Sequence, residues 1–281
     1  MEKAPLATPL ICRRDEGFGR RKINRRKPAL LPAFAHRRPS RSIQHRVAPP
    51  PSSRRGKAAP SEAIMLPSHT ITTFALSTIN AGHPTVRDAD LAVGAATLTV
   101  RVAGGKVSFD LSTFILRPME PPENLLAWIE NRLGDEQATL SVYWPNRVIR
   151  LLSSLPGAAF SPAIRGLSGK GKQPIIRLQF KDEAGFMPFD KACGHVGIPC
   201  ASTDAMERFV AWCNADIDQI AVDAEADAIA LWKMTIDAIE RKSGLGVELA
   251  TVLRRHLALW LRDTDRMSTR IHQADLGQTL N

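Results

Sequence analysis

The sequence predicts a mixed α/β domain, and three observations predict it. Segments with strand character dominate residues 69 to 143, segments with a 3.6-residue apolar period dominate residues 189 to 262, and Gly- or Pro-marked turns separate them. A chain of 281 residues with 44% hydrophobic content is long enough for a sizeable core.

Ahead of that pattern, residues 1 to 64 read differently. They hold 16 of the 38 Lys and Arg but only four of the 28 acids, a net of +12, and the remainder nets −2. The segment is rich in Arg, Pro and Ser and shows no sustained period, so it is expected to be a disordered basic tail. Its readings stay open: an arm that releases counterions from phosphates, a solvated tail, or a stretch that is not translated, with Met65 as the start. Its Pro blocks spoil the amphipathic helix of a mitochondrial presequence.

The elements then follow in order. Ile71–Leu76 is β-branched and reads as a strand, ending in the pentapeptide FALST (residues 74 to 78). Leu98–Val102 and Lys106–Leu111 form a hairpin around Ala103, Gly104 and Gly105. Glu123–Leu133 is a helix carrying Leu125, Leu126, Ile129 and Leu133 on one side, with Gly134 beyond its end. Thr139–Tyr143 is a short strand, a helix spans about Arg147–Leu155, and Ile175–Phe180 is a further strand. Helices are expected at Phe189–Val196, Ser202–Cys213, Ile217–Ile239 and Val247–Arg262, the last with Ala250, Leu253, Leu257 and Leu261 on one stripe. This gives a domain over residues 65 to 243, followed by an amphipathic helix and tail over residues 244 to 281.

Several chemistries are weighed and set aside on spacing. Ser168–Lys172 (SGKGK) lacks the G-x4-G-K-[ST] pattern of a phosphate loop and reads as a basic loop. Cys193, His195, Cys200 and Cys213 lack the tight Cys-x2-4-Cys pairs of structural zinc sites and read as buried free thiols. With Cys12 in the tail, no paired disulfide framework is expected. No run approaches the ~18–20 apolar residues of a membrane span, so the expectation is a cytoplasmic protein with no membrane partner. Most of the five Trp, at helical spacing, are expected in the core.

Two segments carry a family resemblance. Phe189–Pro199 (FDKACGHVGIP) looks like L-D-E-L-[AC]-x-x-L-G-[IF]-P, and Ile220–Leu231 (IAVDAEADAIAL) is similar to I-x-x-Y-C-E-x-D-V-x-x-T. These motifs, in this order, resemble the DEDD superfamily of 3′-to-5′ exonucleases of ribonuclease-H-like fold, most nearly its PolB-like members, over residues 69 to 240. The resemblance implies a ribonuclease-H-like mixed sheet flanked by helices. It also implies two divalent metals held by an Asp and a Glu on the first strand, a middle Asp and a late Asp. Such a site needs oxygen ligands, because one hard cation activates the attacking water and the other stabilises the leaving oxygen.

Carried over by position, the first Asp falls on Ala75, the Glu on Ser77 and the middle Asp on Arg150, with its motif at Pro145–Arg150. Asp227 alone retains its acid, and Asp223 replaces the Tyr one turn before it. The expectation is therefore an exonuclease-like domain that has lost two-metal catalysis and binds single-stranded DNA or RNA, through Arg147, Arg150 and Arg177, or binds a protein partner. No cofactor is expected in that case. One alternative is an active exonuclease using Mg²⁺ or Mn²⁺ at Asp223 and Asp227, with ligands recruited from Asp190 or Asp110. Another is a protein-interaction module that uses its C-terminal helix. For Asp223 and Asp227 the competing reading is a solvated acidic helix start.

Overall fold

The structure, a computed structural model, describes residues 69–80, 82, 90–183, 185–242 and 244–273. The basic tail of residues 1 to 64 lies outside the described residues.

Five strands build one mixed sheet: β1 (His69–Asn80), β2 (Asp90–Ala103), β3 (Lys106–Ile115), β4 (Thr139–Tyr143) and β5 (Ile175–Leu178), in the order β3-β2-β1-β4-β5. β2 runs antiparallel to both β1 and β3, whereas β1, β4 and β5 are mutually parallel. The β2–β3 turn is a two-residue loop in which Gly104 and Gly105 both have positive φ (56° and 75°). That is the geometry whose twist matches paired strands, and glycine adopts it without steric cost.

Alternation along the strands sends side chains to two cores. On one face Phe74, Ala95, Leu140 and Val142 pack against α1 (Glu123–Leu133), α2 (Pro145–Leu152) and α3 (Pro162–Leu167) through Leu125, Ile129, Leu133, Leu152 and Leu167. On the other, Ala96, Leu98, Val100 and Leu111 meet α6 (Ile217–Lys242) and α7 (Gly244–Asp263) through Ile220, Ile229, Trp232, Leu253, Leu257 and Leu261. Polar ties fix α6 to the sheet: Thr73 Oγ1 lies 3.2 Å from the Ala228 carbonyl, and the hydroxyls of Ser141 and Thr235 are 2.7 Å apart. All of these groups are buried, so their pairing avoids the penalty of an unsatisfied polar atom.

A third cluster joins the end of β4 and β5 to α6. Tyr143, Leu178, Leu231 and Met234 surround Ala192 and Cys193 of α4 (Phe189–Val196). Between β5 and α4 lies a small hairpin, β6 (Lys181–Asp182) and β7 (Gly185–Phe186). α5 (Ala205–Cys213) precedes α6, and α8 (Met267–Gln273) follows α7. No helix among the described residues is long and apolar enough to cross a membrane.

Elements expected from periodicity stand close to their predicted positions, with differences where tertiary pairing extends them. β1 runs to Asn80 and β2 starts at Asp90, because each completes a register with the other beyond the expected ends. α2 begins at Pro145, a residue suited to the first turn of a helix, and stops at Leu152. β5 stops at Leu178, after which the chain leaves the sheet for the hairpin.

Candidate functional site

A pocket of about 300 Å³ opens at the carboxyl ends of β1 and β4. These strands pair only from Ile71 to Phe74 and from Thr139 to Val142, and beyond that their chains part. From β1 the chain turns back through β2 to one side, and from β4 it passes through α2 and α3 to β5 on the other. A crevice at such a reversal of strand order is where open α/β sheets bind ligands.

The first strand contributes Ala75, Leu76 and Thr78 to the wall, and β4 leads into Tyr143 and Trp144. Ser77 is buried and does not line the pocket. The register of β1 against β2 shifts between Ser77 and Thr78, which re-aims the residues at the strand end.

Trp144 is held in a left-handed conformation, φ 45° and ψ 62°, uncommon for a bulky residue and a form of strain that clusters at functional sites. Its N–H donates to the Leu178 carbonyl at 2.8 Å, its ring stacks on Phe186 with centroids 5.4 Å apart, and Pro145 starts α2 directly after it. The Arg147 guanidinium lies 5.5 Å from the Trp144 ring and is paired to Asp90 at 2.5 Å. Trp144 and Arg147, Phe189 and Asp190, and Asp204 and Ala205 all line the pocket. The amino ends of α2, α4 and α5 thus converge there, each the positive end of a helix dipole. Asp204 is committed to its own helix, since its carboxylate accepts the Met206 and Glu207 N–H groups at 2.8 Å in a capping box.

On the opposite wall, α6 presents Asp227, and the charge that faces it is Arg208 of α5. The guanidinium lies 3.6 Å from Asp223 Oδ2 and 3.9 Å from Asp227 Oδ2. Asp223 and Asp227 therefore share one helix face, as their spacing predicts, but Asp223 is 3% exposed and hydrogen-bonded to Gln219 at 3.0 Å. This corrects the reading of Asp223 as part of a solvated helix start. The Asp227 side chain is 17% exposed and accepts the Ala201 N–H at 3.1 Å. Burial pushes its carboxyl up to about 7, and the Arg208 charge and the Ala201 hydrogen bond only partly counter this.

The other expected site residues separate. Arg150 is exposed and lies outside the pocket wall, and Arg177 is exposed on β5, donating to the Ser168 carbonyl at 3.1 Å. Asp110 is not available for recruitment, because it pairs with Arg132 at 2.7 Å away from the pocket. Asp190 does line it. Among the described residues no three His, Cys, Asp or Glu side chains gather closely enough to hold a metal ion.

The residues present do not fit a pair of divalent cations. Ala75 supplies no oxygen ligand, and a guanidinium faces both remaining carboxylates at close range, where it would repel a metal. Arg208 was not singled out by the sequence, because its partners lie 15 and 19 positions away on another helix and no local spacing announces them. No protein-family model, curated protein or solved structure matches this chain.

Proposed function

We propose that this chain is an exonuclease-like domain of ribonuclease-H-like fold in which binding has replaced two-metal catalysis, and that its pocket receives single-stranded nucleic acid. The observation that carries the reading is Arg208, facing both Asp223 and Asp227 at a pocket to which β1 contributes Ala75 and no acid. A fixed organic cation there serves the two acids as a metal would, without offering open coordination positions for a water nucleophile. The finer fold assignment is supported by the sheet order, with β2 alone reversed, and by the late helix α6 packed across the first strand.

Trp144 and the amino end of α2, which has no acid in its first turn, make the pocket suitable for a nucleotide. An aromatic face stacks any base, and the helix dipole favours phosphate. The test uses the full chain and fluorescently labelled single-stranded DNA and RNA, at salt high enough to suppress the counterion-driven binding of the basic tail. Trp144→Ala should lose a base-stacking contribution of about 1–3 kcal/mol, roughly 5- to 150-fold in Kd. Equal Kd values for the variant and the parent, on both probes, would reject the pocket as the binding site.

A further inference from the structure

Cys193 and Cys200 are free thiols that the proposed function does not use. Cys193 is buried in one packed cluster with Tyr143, Leu178 and Ile198, Cys200 packs against that cluster, and each thiol shifts the ionisation of the other. α4 brings them together. The helix ends at Gly197, whose φ of 69° is the left-handed conformation that reverses the chain, and the Ile198 N–H donates back to the Cys193 carbonyl at 2.9 Å. The reversal returns Ile198 to the last turn of the helix that carries Cys193.

The two thiols differ in access. Cys193 is fully buried, whereas Cys200 is partly exposed in the segment just before the pocket-lining residues Ala201 and Ser202. We propose that Cys200 and Cys193 form a peroxide-responsive thiol pair, Cys200 reacting first and Cys193 closing a disulfide onto it. An accessible sulfur poised beside a second thiol is the arrangement that redox-sensing cysteines use.

The thiol contact also favours the order of reaction. The neighbouring Cys193 thiol favours ionisation of Cys200, lowering its pKa, and Arg208 assists, although burial, Asp227 and Asp190 oppose. In the first step the Cys200 thiolate attacks one oxygen of hydrogen peroxide. The O–O bond breaks, Cys200 becomes a sulfenic acid, and hydroxide leaves and takes up a proton. In the second step the Cys193 sulfur attacks the Cys200 sulfur, the S–O bond breaks, and the Cys193 proton leaves with the hydroxyl as water. Two electrons pass from the thiols to the peroxide, and an external dithiol reverses the change.

The pocket would register the oxidation. Ala201, next in the chain to Cys200, supplies the N–H that Asp227 accepts, so drawing Cys200 onto α4 pulls on that hydrogen bond.

The experiment treats the full chain with hydrogen peroxide at modest excess, blocks residual thiols, and maps peptides by mass spectrometry without reduction. The expected product is a Cys193–Cys200 cross-link lighter by two hydrogens and restored by dithiothreitol. Cys193→Ala should arrest the reaction at a Cys200 sulfenic acid that dimedone captures, and Cys200→Ala should abolish both cross-link and capture in this segment. Should Cys193→Ala fail to fold, the parent cross-link and the Cys200→Ala result decide the matter alone. Oxidation that settles on Cys213 or Cys12, with the 193–200 pair still reduced, would overturn the proposal.

Discussion

Replacing Asp227 by Asn should make the protein more stable at mildly alkaline pH, even though it removes a member of the pocket. The folded protein holds the Asp227 carboxyl at about 7 against an ordinary value of 3.8, because its burial outweighs Arg208 and the Ala201 N–H. Between these two values the folded state binds a proton that the unfolded chain has released, so stability falls as pH rises from about 4 to about 7 and then levels. About three pH units at 1.36 kcal/mol each give a loss of up to about 4 kcal/mol. The Asn side chain keeps an oxygen for the Ala201 N–H and carries no charge, so this loss disappears with it. Urea unfolding of the full chain, parent and Asp227→Asn, from about pH 4.5 to about pH 8 measures the difference. The variant should be ahead by about 1 kcal/mol at the acidic end and by up to about 4 kcal/mol at the alkaline end. A variant no more stable than the parent at pH 8 would refute the account of Asp227 as a carboxylate ionised at a cost.

Arg208→Met should act in the opposite direction, leaving Asp223 buried with only the Gln219 amide. Breaking a buried pair costs about 3–5 kcal/mol, and the long 3.6 Å contact places the loss near the lower figure. Adding Asp223→Asn should recover most of it in the same urea measurement, and failure to recover would show that Arg208 does not compensate Asp223. Gly94→Ala should lower the midpoint of thermal unfolding. A Cβ there would stand 2.3 Å from Ile115 Cδ1 and 2.7 Å from the Phe114 carbonyl on the paired strand, an overpacking cost of about 1–3 kcal/mol. An unchanged midpoint would mean that β3 yields without strain.

The regular elements were legible where local periodicity and turn chemistry agree. α1 and β4 occupy Glu123–Leu133 and Thr139–Tyr143 as their apolar spacing predicts, and the Gly104-Gly105 turn sets the β2–β3 register. The short α3, the β6–β7 hairpin and α8 escaped, because elements of two to seven residues carry too few positions to display a period. The site was legible in part. Ala75 and Asp227 do share a pocket, since a strand end and a helix face are each set by alternation within one element. Arg150 and Arg177 were placed by motif position and by charge alone, and both are exposed and neither lines the pocket. Arg208 and the strained Trp144 could not be read, because each acquires its role only when α5 and β7 pack beside α6 and β4.

The central claim, that binding has taken the place of two-metal chemistry, meets its most direct test in an end-labelled single-stranded oligonucleotide incubated with excess full chain in Mg²⁺ or Mn²⁺, beside an Asp227→Ala control. The account predicts that the oligonucleotide keeps its full length with both proteins and both metals. Shortening by the parent that vanishes in the Asp227→Ala control would contradict it, by showing that the pocket assembles a working metal site despite Arg208.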